Sequence, residues 1–300
     1  MQIWQSQMFV KNHLFFNNYP LINHYDNPVG HYIKTIDIDE SWSNRDVILH
    51  FGGVSSAYYV WVNGKFVGYS EDTRLPSEFD VTKHLKTGKN KIAVKVYRWE
   101  DGSYMEAQDH WRMSGIEREV FIKAVPKVRI SDFHIRTGFD ENYENALLEI
   151  RPEFIANIKN KYIKKVGHFG VAPLATTVDK WTLSTQLIDA EGKNYGASLE
   201  LPLKKFFSER YPQRDNVYFG LMETEVKSPK KWPSDNPYLC TLLFTLKDAN
   251  GNAVEFTSAK VGFRDLTFDE RGRFLVNGNP VKLIGVNRQN HHMSNGKNGF

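Results

Sequence analysis

The sequence has very little cysteine and no long apolar run, and both absences narrow the class of protein. The 300 residues include one cysteine, Cys240, so no disulfide can form within the chain. Cys240 lies in the apolar run YLCTLLF, where we expect a small buried hydrophobe rather than a nucleophile, because nothing nearby would lower its pKa. No stretch approaches the roughly 20 apolar residues of a membrane-spanning helix, so we expect no membrane span.

A secretion signal, glycosylation sequons and strong charge are also missing. The first residues, MQIWQSQMFV, lack the basic-then-apolar layout of a signal peptide, and no N-x-S/T sequon occurs. We therefore expect a cytoplasmic protein. The net charge of +4 is spread along the chain and gives little support for binding nucleic acid. The densest basic run, KNKYIKK, is typical of a solvated loop or strand edge.

The chain is instead rich in aromatic residues, at 14%, and in short strand patterns. Asn63-Gly64 joins AYYVWV to KFVGYS, and this pair favours a type I′ turn, which predicts a β-hairpin. Residues 77–85 suggest a short helical turn. After Pro126, short strands separated by frequent turn residues predict a β-sandwich of roughly immunoglobulin size. The predicted fold class is all-β.

A third region begins near Asp265. Asn277-Gly278 predicts another turn, and the following run VKLIGV shows no alternation between apolar and polar residues. Such a run suits a strand that is buried on both faces, such as the first strand of a parallel barrel. A complete barrel needs about 250 residues, so the chain is expected to begin this domain without finishing it.

The segment RWEDGSYMEAQDHWRMSG, residues 98–115, is the densest in residue types that serve binding or catalysis. It lies between the strand patterns KIAVKVY and EVFIKAV, and ligand sites are often loops held on such a scaffold. A long, well-satisfied surface loop is the other interpretation. Asp101 and Glu106 could imitate a catalytic pair of carboxylates, but solvated or arginine-paired acids would produce the same sequence.

Four segments resemble the glycoside hydrolase family two β-galactosidases. SAYYVWVNGKFVGYSEDTRLPSEFDV, together with DGSYMEAQDHWRMSGI, resembles their first, jelly-roll domain, and VRISDFHIRTGFD resembles the opening of their immunoglobulin-like domain. FLVNGNPVKLIGVNRQNHH is similar to the start of their TIM barrel. The resemblance covers about residues 17–292 and implies a jelly-roll sugar-binding domain at 1–126, an immunoglobulin-like sandwich at 127–265 and a truncated start of a (β/α)8 barrel at 266–300.

The resemblance also implies that the early strands of the jelly roll are missing. Family members run several dozen residues before this point, and Met1–His13 does not resemble those residues. We therefore expect an unpaired sheet edge.

The activity that the resemblance implies for the parent enzyme is hydrolysis of terminal β-D-galactosides with retention. Such enzymes use two glutamates, one as nucleophile and one as acid and base. Both lie deep in the family's barrel, so we expect no catalytic residue in this chain and no hydrolysis by it alone. Two alternatives are a non-catalytic carbohydrate-binding module, with Trp99, Tyr104 and Trp111 as its stacking platform, and an element that assembles the parent's homo-oligomer.

Three site residues and two cations follow from the resemblance. Asp109 matches the acid that reaches the galactose 6-hydroxyl and ligates sodium. Gln289 occupies the position of a histidine that helps stabilise the transition state, and glutamine cannot titrate. Asn18 lies near an asparagine of the substrate loop. The family's full-length enzyme uses Na+ and Mg2+, of which only a partial sodium site is expected here.

Overall fold

The computed structural model describes residues 20–22, 24–73, 75–106, 114–158, 161–162, 178, 180–206 and 221–287. These residues divide into two compact units, one ending at Val125 and the other running from Pro126 to Val286. The strand pairs among these residues are antiparallel, and the only regular elements besides strands are short 3-10 turns, in agreement with the all-β prediction. No helix in the described part of the chain is long and apolar enough to cross a membrane.

The first unit is a sandwich of a four-stranded and a three-stranded sheet, in the orders β1-β7-β4-β5 and β6-β2-β9, with a short β3-β8 pair beside them. Its strands are β1 (Val29–Ile38), β2 (Asp46–Phe51), β3 (Val54–Ser55), β4 (Tyr58–Val62), β5 (Lys65–Ser70), β6 (Ser77–Asp80), β7 (Gly88–Tyr97), β8 (Gly115–Ile116) and β9 (Val120–Val125). Short 3-10 turns occur at His24–Asp26, Glu40–Trp42, Thr82–His84 and Asp101–Tyr104.

The hairpin predicted at Asn63-Gly64 is confirmed. Asn63 has φ 50° and Gly64 has φ 78°, the left-handed values that a two-residue type I′ turn needs. The Asn63 side chain also ties the turn to neighbouring loops, since its Nδ2 donates to the carbonyl oxygen of His84 at 2.9 Å and its Oδ1 accepts from the Lys91 amide at 2.9 Å.

The second unit is also a sandwich, built from the sheets β10-β11-β12, with β15 paired to β11, and β14-β13-β16-β17. A small sheet, β18-β19-β20, follows. The strands are β10 (Val128–Phe139), β11 (Asn145–Ile158), β12 (Lys161–Tyr162), β13 (Thr182–Ile188), β14 (Leu199–Pro202), β15 (Met222–Lys227), β16 (Cys240–Lys247), β17 (Ala253–Val261), β18 (Leu266–Phe268), β19 (Phe274–Val276) and β20 (Asn279–Pro280). A 3-10 turn lies at Leu203–Phe206.

Strict alternation along β16 shows why this sandwich forms. Cys240, Leu242, Phe244 and Leu246 are buried, while the residues between them are half-buried. A strand with this period-two pattern must cover a core with one face. Cys240 is a buried free thiol whose pKa is raised by burial, which confirms that it packs as a hydrophobe.

One side of the first sandwich is open among the described residues. β1 and β9 each lie at the end of their sheets within this part of the chain. The unpaired edge stays a prediction, because residues 1–19 lie outside the described part. Between β1 and β9 is a cavity of about 590 Å³ whose walls include the core residues Leu49, Phe51 and Val94. The cavity is mostly apolar, because it exposes the interior of the sandwich rather than a polar surface.

Two local predictions were wrong. Residues 77–80 form strand β6, paired with β2, and only Thr82–His84 makes the predicted helical turn. The run VKLIGV forms no strand, and its Leu283, Ile284 and Val286 side chains are exposed. A strand that is buried on both faces needs neighbours on both sides, whereas the described backbone hydrogen bond of this run is made at its first residue, where the Val281 amide donates to the Phe274 carbonyl oxygen at 2.9 Å. The start of a barrel at 266–300 stays a prediction.

Substituting Asn90 should test how the first sandwich holds its loops. Asn90 is 1% exposed, and its side chain accepts from the Lys86 amide and donates to the Lys86 and Gly88 carbonyl oxygens. Asn90→Ala leaves these groups unsatisfied, so we expect the free energy of unfolding to fall by about 1–3 kcal/mol. The exposed neighbour supplies a control: Lys89→Ala should change it by less than about 0.5 kcal/mol in denaturant titrations. Equal effects of the two substitutions would contradict this role.

Candidate functional site

The candidate site begins where β7 ends, in the loop that starts at Arg98. The Asn27 side chain binds both backbone polar groups of Trp99. Its Oδ1 accepts from the Trp99 amide at 3.0 Å, and its Nδ2 donates to the Trp99 carbonyl oxygen at 2.9 Å. The Arg98 guanidinium lies 5.0 Å from the Trp99 ring centroid. The loop is therefore anchored to the segment that precedes β1, which gives its acidic residues fixed positions.

Glu100 caps the 3-10 turn Asp101–Tyr104. Its carboxylate accepts from the Gly102 amide at 2.6 Å and from Ser103 Oγ at 3.3 Å, while its own amide donates to Ser103 Oγ at 3.0 Å. This reciprocal arrangement is a capping box, which satisfies amides that the turn leaves without backbone partners. Glu100 is 7% exposed, so its carboxyl group is held largely away from water.

The pKa of Glu100 is raised to about 7, mainly by burial and also by a hydrogen bond with Asp101 and the charge of Glu106, while the Gly102 amide and the Ser103 hydroxyl oppose the rise. The native loop thus holds one carboxyl that gains and loses its proton near neutral pH. A raised pKa of this kind is typical of catalytic acids, and networks of neighbouring charged groups with a structural role also produce it.

Glu71 brings a second carboxylate to this loop from the segment after β5. One oxygen from each of Glu71, Glu100 and Asp101 lies within 4.8 Å of the others. Glu71 also accepts a hydrogen bond from the Tyr69 hydroxyl at 2.5 Å. Burial and this bond raise the pKa of Tyr69, so the phenol stays protonated and keeps donating.

The distances among these acids approach the roughly 5–5.5 Å that retaining glycosidases need between their two carboxyl groups. Their surroundings do not suit that reaction. The Glu100 oxygens already accept from Gly102 and Ser103, and Glu106 accepts from Thr73 at 2.8 Å. The cavity between β1 and β9 has Glu119 as the one acid among its described lining residues, so it offers no second carboxyl.

These acids also fit a cation poorly. Ca2+ and Mg2+ are bound by several ionised or carbonyl oxygens in a nearly complete shell. Glu100 is half-protonated near neutral pH and its oxygens face its own turn, which leaves Glu71 and Asp101 as donors. Two exposed carboxylates alone do not define a metal site.

The residues that the sequence assigned to the substrate lie outside the described part of the chain. This applies to Asp109, Asn18 and Gln289, and also to Trp111. Their roles in binding substrate and sodium remain predictions.

Of the described members of the predicted stacking platform, Trp99 is unsuited to that role, and the role of Tyr104 stays a prediction. Trp99 is buried at 9% exposure, and the Tyr104 hydroxyl is engaged with the Leu21 carbonyl oxygen at 2.8 Å. Trp99 follows a strand with an alternating pattern, and that pattern did not predict that the Trp99 ring is buried.

Sequence reasoning also missed Glu100 and Glu71. A signal for Glu100 was present, since an acid three residues before a serine, with a glycine between them, is compatible with a capping turn. Glu71 carried no such signal, because its proximity to Glu100 depends on how β5 and β7 lie in one sheet.

The architecture is that of the sandwich domains of known glycosidases. A β-glycosidase from Bacteroides vulgatus aligns with a TM-score of 0.67 and 24% identity, covering 90% of this chain and 30% of that one. The β-glucuronidase of Ruminococcus gnavus aligns with a TM-score of 0.64 and 18% identity, covering 91% and 42% of the two chains. At these identities the similarity establishes the fold.

The chain belongs to glycosyl hydrolases family 2. Residues 4–126 match that family's sugar binding domain, and residues 170–264 match a second domain described as glycosyl hydrolases family 2. A β-galactosidase from Priestia megaterium is 38% identical over 275 residues. That alignment covers 91% of this chain but 24% of the relative, so the chain spans about a quarter of the enzyme it resembles.

The raised pKa of Glu100 predicts a pH dependence of stability. Its native pKa of about 7 exceeds its ordinary value of 4.5, so the folded chain binds this proton more tightly than the unfolded chain does. The contribution of Glu100 is therefore fully present below pH 4.5 and is lost as pH rises through about 7. We expect Glu100→Gln to remove this decline in thermal-unfolding midpoints measured from pH 4.5 to pH 8.

The matched control is Glu141→Gln, at an exposed turn of the second unit. It should keep the pH dependence of the original chain. If Glu100→Gln and the original chain lose stability in parallel across this range, the carboxyl is not held protonated in the folded state.

Proposed function

We propose that this chain is the sugar-facing N-terminal part of a β-galactosidase, which acts on terminal β-D-galactosides through catalytic carboxylates supplied elsewhere. The observation that carries the proposal is the 38% identity to the Priestia megaterium β-galactosidase over 91% of this chain. Identity at that level, over both sandwiches, supports a shared role for these domains rather than a shared fold alone.

The chemistry of the described acids supports the same division of labour. Retaining hydrolysis needs one ionised carboxylate at the anomeric carbon and one protonated carboxyl at the leaving oxygen. Glu100 has a suitable pKa, but it caps its own turn, and Glu71 holds the Tyr69 hydroxyl. These residues are better explained as the support of a loop that includes Asp109 than as the reacting pair.

The proposal assigns Asp109 to the galactose 6-hydroxyl and to a sodium ion in the whole enzyme. A carboxylate is a strong acceptor for a hydroxyl and a hard ligand for a cation. Na+, Mg2+ and assembly into a homo-oligomer are parts of the same proposal for the parent enzyme.

A chimeric enzyme tests the proposal. The 275-residue aligned region of the Priestia megaterium β-galactosidase would be replaced by the corresponding region of this chain. We expect the chimera to hydrolyse a chromogenic β-galactoside, because related domains should complete the same site. A chimera that folds, by circular dichroism and size exclusion, yet hydrolyses nothing would contradict the proposal. So would hydrolysis by the 300-residue chain alone that Glu100→Gln abolishes.

Asp109→Asn in this chimera tests the residue assignment. We expect kcat/KM for a β-galactoside to fall about tenfold to a hundredfold, because a charge-assisted hydrogen bond to the 6-hydroxyl is weakened. For the 6-deoxy analogue, a β-D-fucoside, the fall should be much smaller. The exposed Asp235→Asn is the control and should affect neither substrate. Equal losses on both substrates would show that Asp109 does not recognise the 6-hydroxyl.

A further inference from the structure

The outer face of the first sandwich carries a group of aromatic side chains that the core does not use. Along β4, Tyr58, Val60 and Val62 are buried, so the residues between them point away from the core. We call the resulting surface the aromatic face. Its members are Tyr59, Trp61, Phe66, Tyr69 and Tyr97.

Tyr59 is the centre of this group. Its ring centroid lies 4.7 Å from that of Tyr69 and 6.0 Å from those of Trp61 and Tyr97. Phe66 completes the set at 6.1 Å from Tyr59 and 5.9 Å from Trp61. Phe66 is 54% exposed and Tyr69 is 42% exposed, so large apolar surfaces face solvent together. Contiguous exposed apolar surface of this kind marks a binding site more often than an isolated exposed residue does.

A β-bulge is what brings two of these rings to one face. Phe66 and Tyr69 are three residues apart, so strict alternation would place them on opposite faces of β5. The register shifts, because Val60 pairs with Gly68 while Trp61 pairs with Phe66, which leaves Val67 as the extra residue. Bulges re-aim side chains in this way and are frequent beside functional sites.

The aromatic face also places a small side chain between two large ones. Ala93 on β7 pairs with Ile33 of β1 on one side and with Trp61 of β4 on the other. Strands two apart in a sheet are separated by roughly 10 Å, so the backbones of Ile33 and Trp61 lie about that far apart on either side of Ala93. Lys95, two residues along on the same face, has its Nζ 4.7 Å from the Tyr97 ring centroid and faces the same surface.

The polar groups around the rings select among ligands. Tyr69 donates to Glu71, which adjoins Glu100 and Asp101, so one border of the face is acidic. An acidic border disfavours nucleic acid, whose phosphates need several cations. A pyranose ring combines an apolar C–H face, which stacks on an aromatic ring, with hydroxyls that a carboxylate accepts from and an ammonium donates to.

We propose that the aromatic face is a carbohydrate-binding surface, on which a galactose-containing oligosaccharide stacks along Trp61, Phe66 and Tyr59 and directs hydroxyls to Lys95 and, from a further sugar unit, to Glu71 beyond Tyr69. The site lies on a sheet face and not on the acidic loop. The choice of galactosides as ligands rests on the proposed function. The aromatic face extends that function, because it gives the domain a second place to bind an extended substrate.

Binding to the 300-residue chain itself tests this site. Lactose and a β-1,4-linked galactotetraose would be titrated while tryptophan side-chain signals are followed by NMR. We expect saturable shifts of the Trp61 indole with millimolar lactose and tighter binding of the longer sugar. Phe66→Ala should weaken binding about tenfold, the loss of one stacked ring. Phe66→Trp should retain or strengthen it.

The matched control is Phe256→Ala, which removes a similarly exposed phenylalanine, at 65%, from the second unit. It should leave sugar binding unchanged. Absence of any shift at Trp61, or equal weakening by both alanine variants, would overturn the proposal. If light scattering instead shows that Phe66→Ala dissociates a dimer and no sugar binds, the aromatic face is a protein interface and the proposal is wrong.

This result is separable from the chimera experiment. Binding is measured on the chain without hydrolysis, so an inactive chimera with normal binding would contradict the proposed function alone. An active chimera whose chain shows no sugar-dependent shift would contradict the aromatic face alone.

Discussion

Alternation along β4 is the constraint on which the first sandwich depends. Tyr58, Val60 and Val62 complete the core, and the same alternation obliges Tyr59 and Trp61 to face outward. β4 lies between β5 and β7, so its outward rings join those of both neighbours. One strand therefore fixes the hydrophobic interior and the exposed aromatic surface together, and a one-residue slip would destroy both.

The acidic loop that follows β7 has a different physical role. The Glu100 carboxyl group is buried where it caps a short 3-10 turn, and this burial is the main cause of its raised pKa. Asn27 holds the neighbouring backbone through two hydrogen bonds. A loop so restrained can present further residues at fixed positions, which the proposed function requires, because it assigns binding groups to this domain and the catalytic carboxylates to another part of the enzyme. The membership of family 2 and the coverage of a quarter of a β-galactosidase agree with that division.

Much of the fold could be read from the sequence, because its signals are local. Asn63-Gly64 and Asn277-Gly278 specify turns by backbone conformation, and period-two patterns such as that of β16 specify a buried face. The secondary-structure predictions were wrong where the conformation of a segment depends on its pairing with distant strands. Residues 77–80 became a strand because β2 offered an edge, and VKLIGV forms no strand pair with the described residues beyond the hydrogen bond of Val281 to Phe274. Phe66 reaches the aromatic face through a bulge that no composition or spacing rule reveals. The site residues Asp109, Asn18 and Gln289 came from resemblance, and the buried acid Glu100 came from the structure.

The central proposal is that the first sandwich binds sugar at its aromatic face and does not supply a catalytic pair of acids. Photochemically induced nuclear polarisation, which enhances signals of solvent-accessible tyrosine and tryptophan rings, tests this most directly. Trp61 and Tyr69 should be polarised and buried Trp99 should not, and lactose should suppress the first two while leaving the exposed Tyr25 polarised. Polarised Trp99 with silent Trp61, or signals at Trp61 and Tyr69 that ignore the sugar, would contradict the account.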